Sequence, residues 1–231
     1  MFALLLMMLP AAQPAAQPGA QHAARLHPTM TEVLYAVPRE GDANKDGVRS
    51  ATGDEFIELV NPHSVPINLK GYQLRDARTG PGGERTSSEN GFRFTFPDLV
   101  LKPGEVVVVF NGFESSIPGP VGTREAAAPK NPSFNNAYVF TAQVQSKYVA
   151  FANDGDCVTL YSPDATAIEC VYWGAKQQPD PAAVQHKAPE SRGSVQRASV
   201  KGEFLPHQSL PGPAGDLPFS PGVFEITPEK K

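Results

Sequence analysis

From residue 31 onward, short apolar runs recur about every ten positions, and their period is that of β-strands. Residues 55–60 alternate charged and apolar side chains around Ile57 and Leu59, which predicts a half-buried strand. Residues 106–110 are all apolar, which predicts a central strand buried on both faces. No segment keeps the apolar period of about 3.6 residues that marks an amphipathic helix. The pattern therefore predicts an all-β sandwich or barrel.

Turn signals separate the other predicted strands. Strands are predicted at residues 32–37, 67–74, 92–96, 156–161, 167–173 and 194–197, while residues 137–152 hold either a strand or a short helical turn. Gly71 predicts a bulge or bend inside its strand. Phe92, Phe94 and Phe96 share one face and are predicted to lie in the core, as is Trp173.

Composition adds that the chain holds one domain with many loops. Its 231 residues fit a single all-β domain, and 24 Pro and 20 Gly fit frequent turns. The loops at 75–91 and 112–136 are the predicted recognition surfaces, since loops present ligands in sandwich domains. The net charge is -4 and Lys and Arg do not cluster with aromatic residues, which argues against non-specific nucleic-acid binding.

The N-terminus predicts export. Residues 2–9 are an unbroken apolar run followed by a Pro- and Ala-rich stretch to residue 24, and this run is too short to span a bilayer. We therefore expect a signal peptide and leader at 1–24, a sandwich domain at 28–200, and a Pro-rich extension at 201–231 that packs on or trails the domain. The expected location is secreted, periplasmic or at the cell surface. The alternative is an apolar N-terminus on a cytosolic protein.

Several motifs, taken in order, resemble the lamin tail domain family. They are residues 32–35 (EVLY), 54–61 (DEFIELVN), 69–76 (LKGYQLRD), 94–97 (FTFP), 101–105 (LKPGE) and 153–156 (NDGD). The resemblance covers about residues 30–175, and a looser likeness continues through residues 193–197 and 204–207. The chain departs from the family at Thr31, where Asn is frequent, and at its two cysteines, which replace polar residues.

This resemblance implies an immunoglobulin-like β-sandwich that acts as a non-catalytic binding or structural domain. Bacterial members of the family are typically exported, so the implied partner is a protein or a cell-envelope component. The alternatives are an accessory module of an extracellular nuclease or other hydrolase, and a calcium-dependent hydrolase. Against catalysis, the five His residues lack metal-ligand spacing, and no nucleophile elbow, phosphate-binding loop or H-E-x-x-H motif is present.

A candidate calcium loop lies between the first two predicted strands. Residues 42–47 read D-x-N-x-D-G, the first half of a calcium-loop motif, in which alternate side-chain oxygens converge on one cation. The predicted ligands are Asp42, Asn44, Asp46, the Val48 carbonyl, Ser50 and Asp54. Residue 53 is Gly where an EF-hand has Glu, so the loop is not an EF-hand. The alternative is an acidic turn held by Asx hydrogen bonds.

A disulfide is predicted between Cys157 and Cys170. If the hairpin turn is centred between Pro163 and Asp164, the two cysteines lie opposite each other. An even cysteine count and an export signal favour oxidation. The same register sets Val158 against a glutamate at 169, so a bulge is the expected adjustment. Two free thiols are the alternative.

Overall fold

The computed structural model describes residues 26–76, 91–175 and 179–224, which form thirteen β-strands and three short 3-10 helices. The strands are β1 Thr29–Leu34, β2 Phe56–Val60, β3 Ile67–Asn68, β4 Gln73–Asp76, β5 Arg93–Thr95, β6 Val100–Leu101, β7 Val106–Phe110, β8 Tyr138–Thr141, β9 Gly155–Tyr161, β10 Ala167–Gly174, β11 Val184–Lys187, β12 Val195–Arg197 and β13 Phe204–Pro206; the helices are η1 Pro132–Phe134, η2 His207–Ser209 and η3 Gly212–Asp216. No helix in these ranges is long and apolar enough to cross a membrane.

Two sheets face each other, as the alternating pattern predicts. One has the order β13-β12-β1-β2-β7-β8, the other has the order β11-β10-β9-β4-β5, and β3 pairs with β6 in a small third sheet. Neighbours are antiparallel except β7 with β8 and β10 with β11, which are parallel. The predicted immunoglobulin-like β-sandwich is therefore confirmed.

The main core fills the space between the sheets with aromatic side chains. Trp173 stacks on Tyr35 with ring centroids 4.3 Å apart, and its indole nitrogen donates to a backbone carbonyl. Phe94 and Phe96 pack edge to face at 5.0 Å. Burial of aromatic surface supplies much of the stability of such a core. The prediction that Phe92, Phe94, Phe96 and Trp173 are core residues is confirmed.

The six-stranded sheet is covered on its outer face as well. Every residue of β2 and β7 is buried, which confirms the prediction for the apolar strand at 106–110. A second apolar cluster lies on this outer face, and it includes Leu34, Phe56, Phe110 and Phe134. The strands here lack exposed polar positions because two loop segments cover them from outside.

One of these covers is the long segment 112–136, which the sequence suggested as a recognition loop. Its Asn131 donates to the carbonyls of Pro118 and Pro120 and accepts from the Ser133 amide. Phe134 then packs into the outer apolar cluster. We therefore find that much of this segment serves as a cover for the sheet, while the loop at 77–90 lies outside the described residues.

One predicted strand is divided in the structure. Residues 67–74 were expected to form one strand, but they form β3 and β4 in different sheets. The chain bends between them at Gly71, whose φ of 81° is in the left-handed region that favours glycine. The predicted bend at this residue is correct, but the predicted continuity of the strand is wrong.

The C-terminal residues add to the sandwich instead of remaining a loop. β13 pairs with β12 and extends the six-stranded sheet. After η3, residues 217–224 return across the outer face, where Phe219 and Phe224 pack against the apolar cluster. No strand is predicted after residue 201, because β13 has only three residues and no alternation of apolar and polar side chains.

Candidate functional site

An open groove lies between the last strands of the two sheets. β11 ends the five-stranded sheet and β13 ends the six-stranded sheet, and the space between them is about 500 Å³. Its lining residues are Gln185, His186, Lys187, Ala188, Pro189, Glu203, Phe204, Leu205 and Pro206. Among the described residues, neither β11 nor β13 has a strand partner on its outer side, so the groove has one open strand edge on each wall.

A buried ion pair contacts two lining residues of this groove, His186 and Phe204, and joins the two sheets. Glu169 of β10 and Arg197 of β12 are both buried, and the Arg197 guanidinium donates to the Glu169 carboxylate. Glu169 also accepts from the Met30 amide at 2.8 Å, and Arg197 donates to the Met30 carbonyl at 2.8 Å. Burial lowers the pKa of Arg197, while the neighbouring Glu169 opposes this effect.

An aromatic ring and an imidazole connect the groove to this ion pair. The Arg197 guanidinium lies 4.5 Å from the centroid of the Phe204 ring, within the range of a cation–π contact. His186 places Nε2 at 3.1 Å from Glu169 and its ring 6.1 Å from Phe204. The ion pair therefore lies behind Phe204 and His186, which belong to the lining.

One apolar side chain on the walls is exposed, Leu205 of β13 at 36%. Val184, at the start of β11 and just outside the lining, is 63% exposed. Lys187 and Glu203 are exposed on opposite walls of the groove and carry opposite charges. An unpaired strand edge beside an apolar groove can receive an extended peptide by strand addition.

The predicted calcium loop forms a network of side-chain to backbone hydrogen bonds. Asp42 accepts from the Asp46 and Gly47 amides, Asp46 accepts from the Val48 amide, and Asp54 accepts from the Asn44 and Ser50 amides. Burial raises the pKa of Asp54, and the charges of Asp42 and Asp46 add to this effect. These contacts match the Asx-turn alternative, and the three carboxylates lie near enough for their charges to interact.

The predicted register of the cysteine hairpin is wrong. Tyr161 pairs with Ala167, so the turn is centred on Asp164, and a bulge after Ala167 adds one more residue. Tyr172 therefore lies opposite Cys157, and the expected pairing of Val158 with Glu169 is also replaced.

Cys157 and Cys170 are buried and are not joined by a disulfide, because the direct cross-strand geometry on which the disulfide was predicted is absent. The cysteines share a face but lie diagonally, and diagonal partners are typically about 7–8 Å apart, beyond the reach of an unstrained disulfide. The hydrogen bond to Cys170 and burial raise the pKa of the Cys157 thiol, so this sulfur is a poor nucleophile.

Two buried glutamates that the sequence did not single out lie at the outer face of the six-stranded sheet. Glu32 and Glu58 are direct partners on β1 and β2, and neither is exposed. Glu32 accepts from the Ser220 amide at 2.9 Å and from the Ser194 hydroxyl. Glu58 accepts from the Thr31 hydroxyl at 2.7 Å and the Gly222 amide at 2.8 Å.

Burial raises the pKa of both carboxyl groups of this pair. Desolvation raises the pKa of Glu32 to about 7, although three hydrogen bonds oppose it. Desolvation and the charge of Glu32 raise the pKa of Glu58 to about 8. The alternating pattern at 55–60 suggested an exposed Glu58, but residues 217–224 cover this face of the sheet and bury it.

A histidine and a serine beside this pair have the spacing of a base and a nucleophile, but they lie in the interior. His207 Nε2 is 2.8 Å from the Ser220 hydroxyl, and His207 Nδ1 is 2.8 Å from the Leu217 carbonyl. His207 is fully buried, and burial lowers its pKa. A substrate has no access to this arrangement, and the histidine lacks the orienting carboxylate of a triad. In the described parts of the chain, no three His, Cys, Asp or Glu side chains are grouped to hold a metal ion.

Comparison with known families gives one match. The model of the family described as Lamin Tail Domain matches residues 29–175 of this chain. A comparison with curated proteins finds no match. The matched range ends just after β10, so both walls of the groove and the segment that contacts the buried glutamates lie beyond it.

Proposed function

Because the chain belongs to the lamin tail domain family, we propose that it is an exported, non-catalytic binding or structural domain that recognises a protein partner through the groove between β11 and β13. The family supports an immunoglobulin-like domain, and such folds carry their functions in local sites. The observation that supports the proposal most is the coincidence, at one groove, of two strand edges without a partner among the described residues and the exposed apolar side chain of Leu205.

The expected occupant is an extended segment of a secreted or cell-envelope protein. Strand addition to β11 would supply main-chain hydrogen bonds, and an apolar side chain of the segment would contact Phe204 and Leu205. Lys187 and Glu203 favour a segment with charges of both signs near the apolar residue. A nuclease or other hydrolase that uses this domain as an accessory module would dock in the same way.

The groove proposal is tested by a pull-down from the native envelope fraction with matched variants. Leu205→Lys places a charge in the groove, and we expect recovery of the partner to fall at least tenfold. Val100→Lys is the control, because Val100 is a 49% exposed apolar residue on β6, outside the groove. Bound proteins are quantified by mass spectrometry, with melting temperatures measured for all three proteins. Equal recovery with both folded variants would contradict the proposal.

We also propose that calcium stabilises the loop at 42–54. Three carboxylates already lie close enough for the charges of Asp42 and Asp46 to affect Asp54, and one cation would remove this repulsion. Saturating calcium should stabilise the fold by about 2–3 kcal/mol, or roughly 5–10 °C in melting temperature. The measurement compares calcium, magnesium and chelator for the intact protein and for an Asp42→Ala/Asp46→Ala variant. A shift of the same size in both proteins, or in neither, would refute a calcium site here.

A further inference from the structure

The segment 217–224 is attached to the sheet through the buried carboxyl pair. Its Ser220 amide donates to Glu32 and its Gly222 amide donates to Glu58. Gln196 of β12 donates from its side chain to the Val223 carbonyl at 3.0 Å. The two acidic side chains therefore accept backbone amide hydrogens in the middle of the segment, while the Ser194 amide and the His207 ring bind the carbonyls at its start.

The charge of this pair has no cationic partner in the described part of the chain. Glu32 and Glu58 face each other across neighbouring strands, and neither has a Lys or Arg within salt-bridge distance there. The titratable group that faces them from η2 is His207, 3.8 Å from Glu32, and burial keeps it neutral. The groups that contact them from β12 and the segment itself are Ser194, Gln196 and Ser220, which do not titrate.

The hydrogen-bond geometry fits a protonated pair. The Leu217 carbonyl can only accept, so His207 carries its proton on Nδ1 and its Nε2 accepts from the Ser220 hydroxyl. The Ser220 hydroxyl then has no hydrogen left for Glu32, whose Oε2 is 3.3 Å away. A protonated Glu32 supplies that hydrogen, whereas two ionised carboxylates would repel each other in a site without water.

We propose that residues 217–224 form a proton-controlled latch, which closes on the outer face of the six-stranded sheet while the Glu32–Glu58 pair holds a proton and opens when both carboxyl groups ionise. Opening allows the carboxylates to be hydrated. It also uncovers the apolar cluster around Phe134, against which Phe219 and Phe224 pack in the closed state.

The test measures amide hydrogen exchange of Ser220 and Gly222 by NMR from pH 6 to pH 9, corrected for intrinsic exchange. In the native protein, we expect their protection to fall at least tenfold over this range, while amides of β7 stay protected. In Glu58→Gln, one neutral side chain replaces an acid of the same shape, and protection should change less than threefold. Glu55→Gln is the matched control, because Glu55 is another buried acid, whose hydrogen bonds go to Phe151 and Asn111. In Glu55→Gln, the Ser220 and Gly222 amides should lose protection with rising pH as they do in the native protein.

A second variant opens the latch without changing any charge. Gly222 has a φ of 90°, and a Cβ at this position would lie 2.4 Å from the Phe134 carbonyl oxygen. Gly222→Ala should therefore expose Ser220 at every pH and increase binding of an apolar dye at least threefold, even at pH 6. Loss of protection that is identical in the native protein and in Glu58→Gln would overturn the proposal, as would protection in the native protein that does not depend on pH.

Discussion

Replacing Arg197 with Met is expected to lower the free energy of unfolding by about 3–5 kcal/mol, because it leaves the Glu169 carboxylate buried without its cation. Arg197 is 4% exposed and holds three partners, which are Glu169, the Met30 carbonyl and the Gly202 carbonyl. Methionine retains an apolar stem but lacks the guanidinium and its cation–π contact with Phe204, so the loss reports mainly on that group. Urea unfolding followed by circular dichroism measures this change.

A double-mutant cycle separates the ion pair from the other contacts of Arg197. Glu169→Gln keeps an oxygen that can accept from the Met30 amide, and it removes the buried charge. The double variant Glu169→Gln/Arg197→Met should therefore be more stable than Arg197→Met alone. If both proteins unfold at the same urea concentration, the charge of Glu169 is not what destabilises the single variant. Lys70→Met is the surface control, because the 3.7 Å pair of Lys70 with Asp98 is exposed and should contribute little.

The pattern of apolar and polar residues predicted the central strands of this domain, because these strands are long enough for the pattern to show. The apolar strand at 106–110 is β7, and its burial on both faces follows from its composition. The cysteine hairpin was predicted with a bulge, and one is present, but no residue type places it after Ala167 or sets the register that follows from it. A shift of two positions preserved the face of each side chain, so the core was predicted correctly although the cross-strand partners were not.

The groove and the carboxyl pair were not predictable, since both depend on contacts between distant parts of the chain. β12 comes late in the sequence but pairs with β1, and this pairing brings Arg197 next to Met30. Glu58 is in a strand that looks half-exposed, and its burial requires cover from residues 217–224. Local periodicity reports on one strand at a time, so it cannot show which segment covers an outer face.

Relative to the native protein, Glu58→Gln is expected to lower the free energy of unfolding at acid pH and to raise it at alkaline pH. The pKa values of Glu32 and Glu58 in the folded protein, about 7 and about 8, lie above the ordinary value of 4.5. A carboxyl group with a raised folded-state pKa stabilises the fold fully below its unfolded-state pKa, and this contribution is lost as pH rises through the folded-state value. The native protein should therefore lose on the order of 6 kcal/mol between pH 5 and pH 9, of which Glu58 contributes the larger part.

The Glu58→Gln variant has no carboxyl group at residue 58 to titrate or to repel Glu32. Between pH 5 and pH 9, its free energy of unfolding should therefore fall by half as much as that of the native protein, or less. At pH 5, the native protein should be the more stable of the two, because a protonated Glu58 keeps all its contacts; at pH 9, Glu58→Gln should be the more stable. Urea unfolding at five pH values measures both curves. Burial raises the pKa of Glu55 in both proteins, so its contribution cancels in the difference. Parallel curves would mean that the buried pair does not titrate in this range and that proton release does not oppose the docking of residues 217–224.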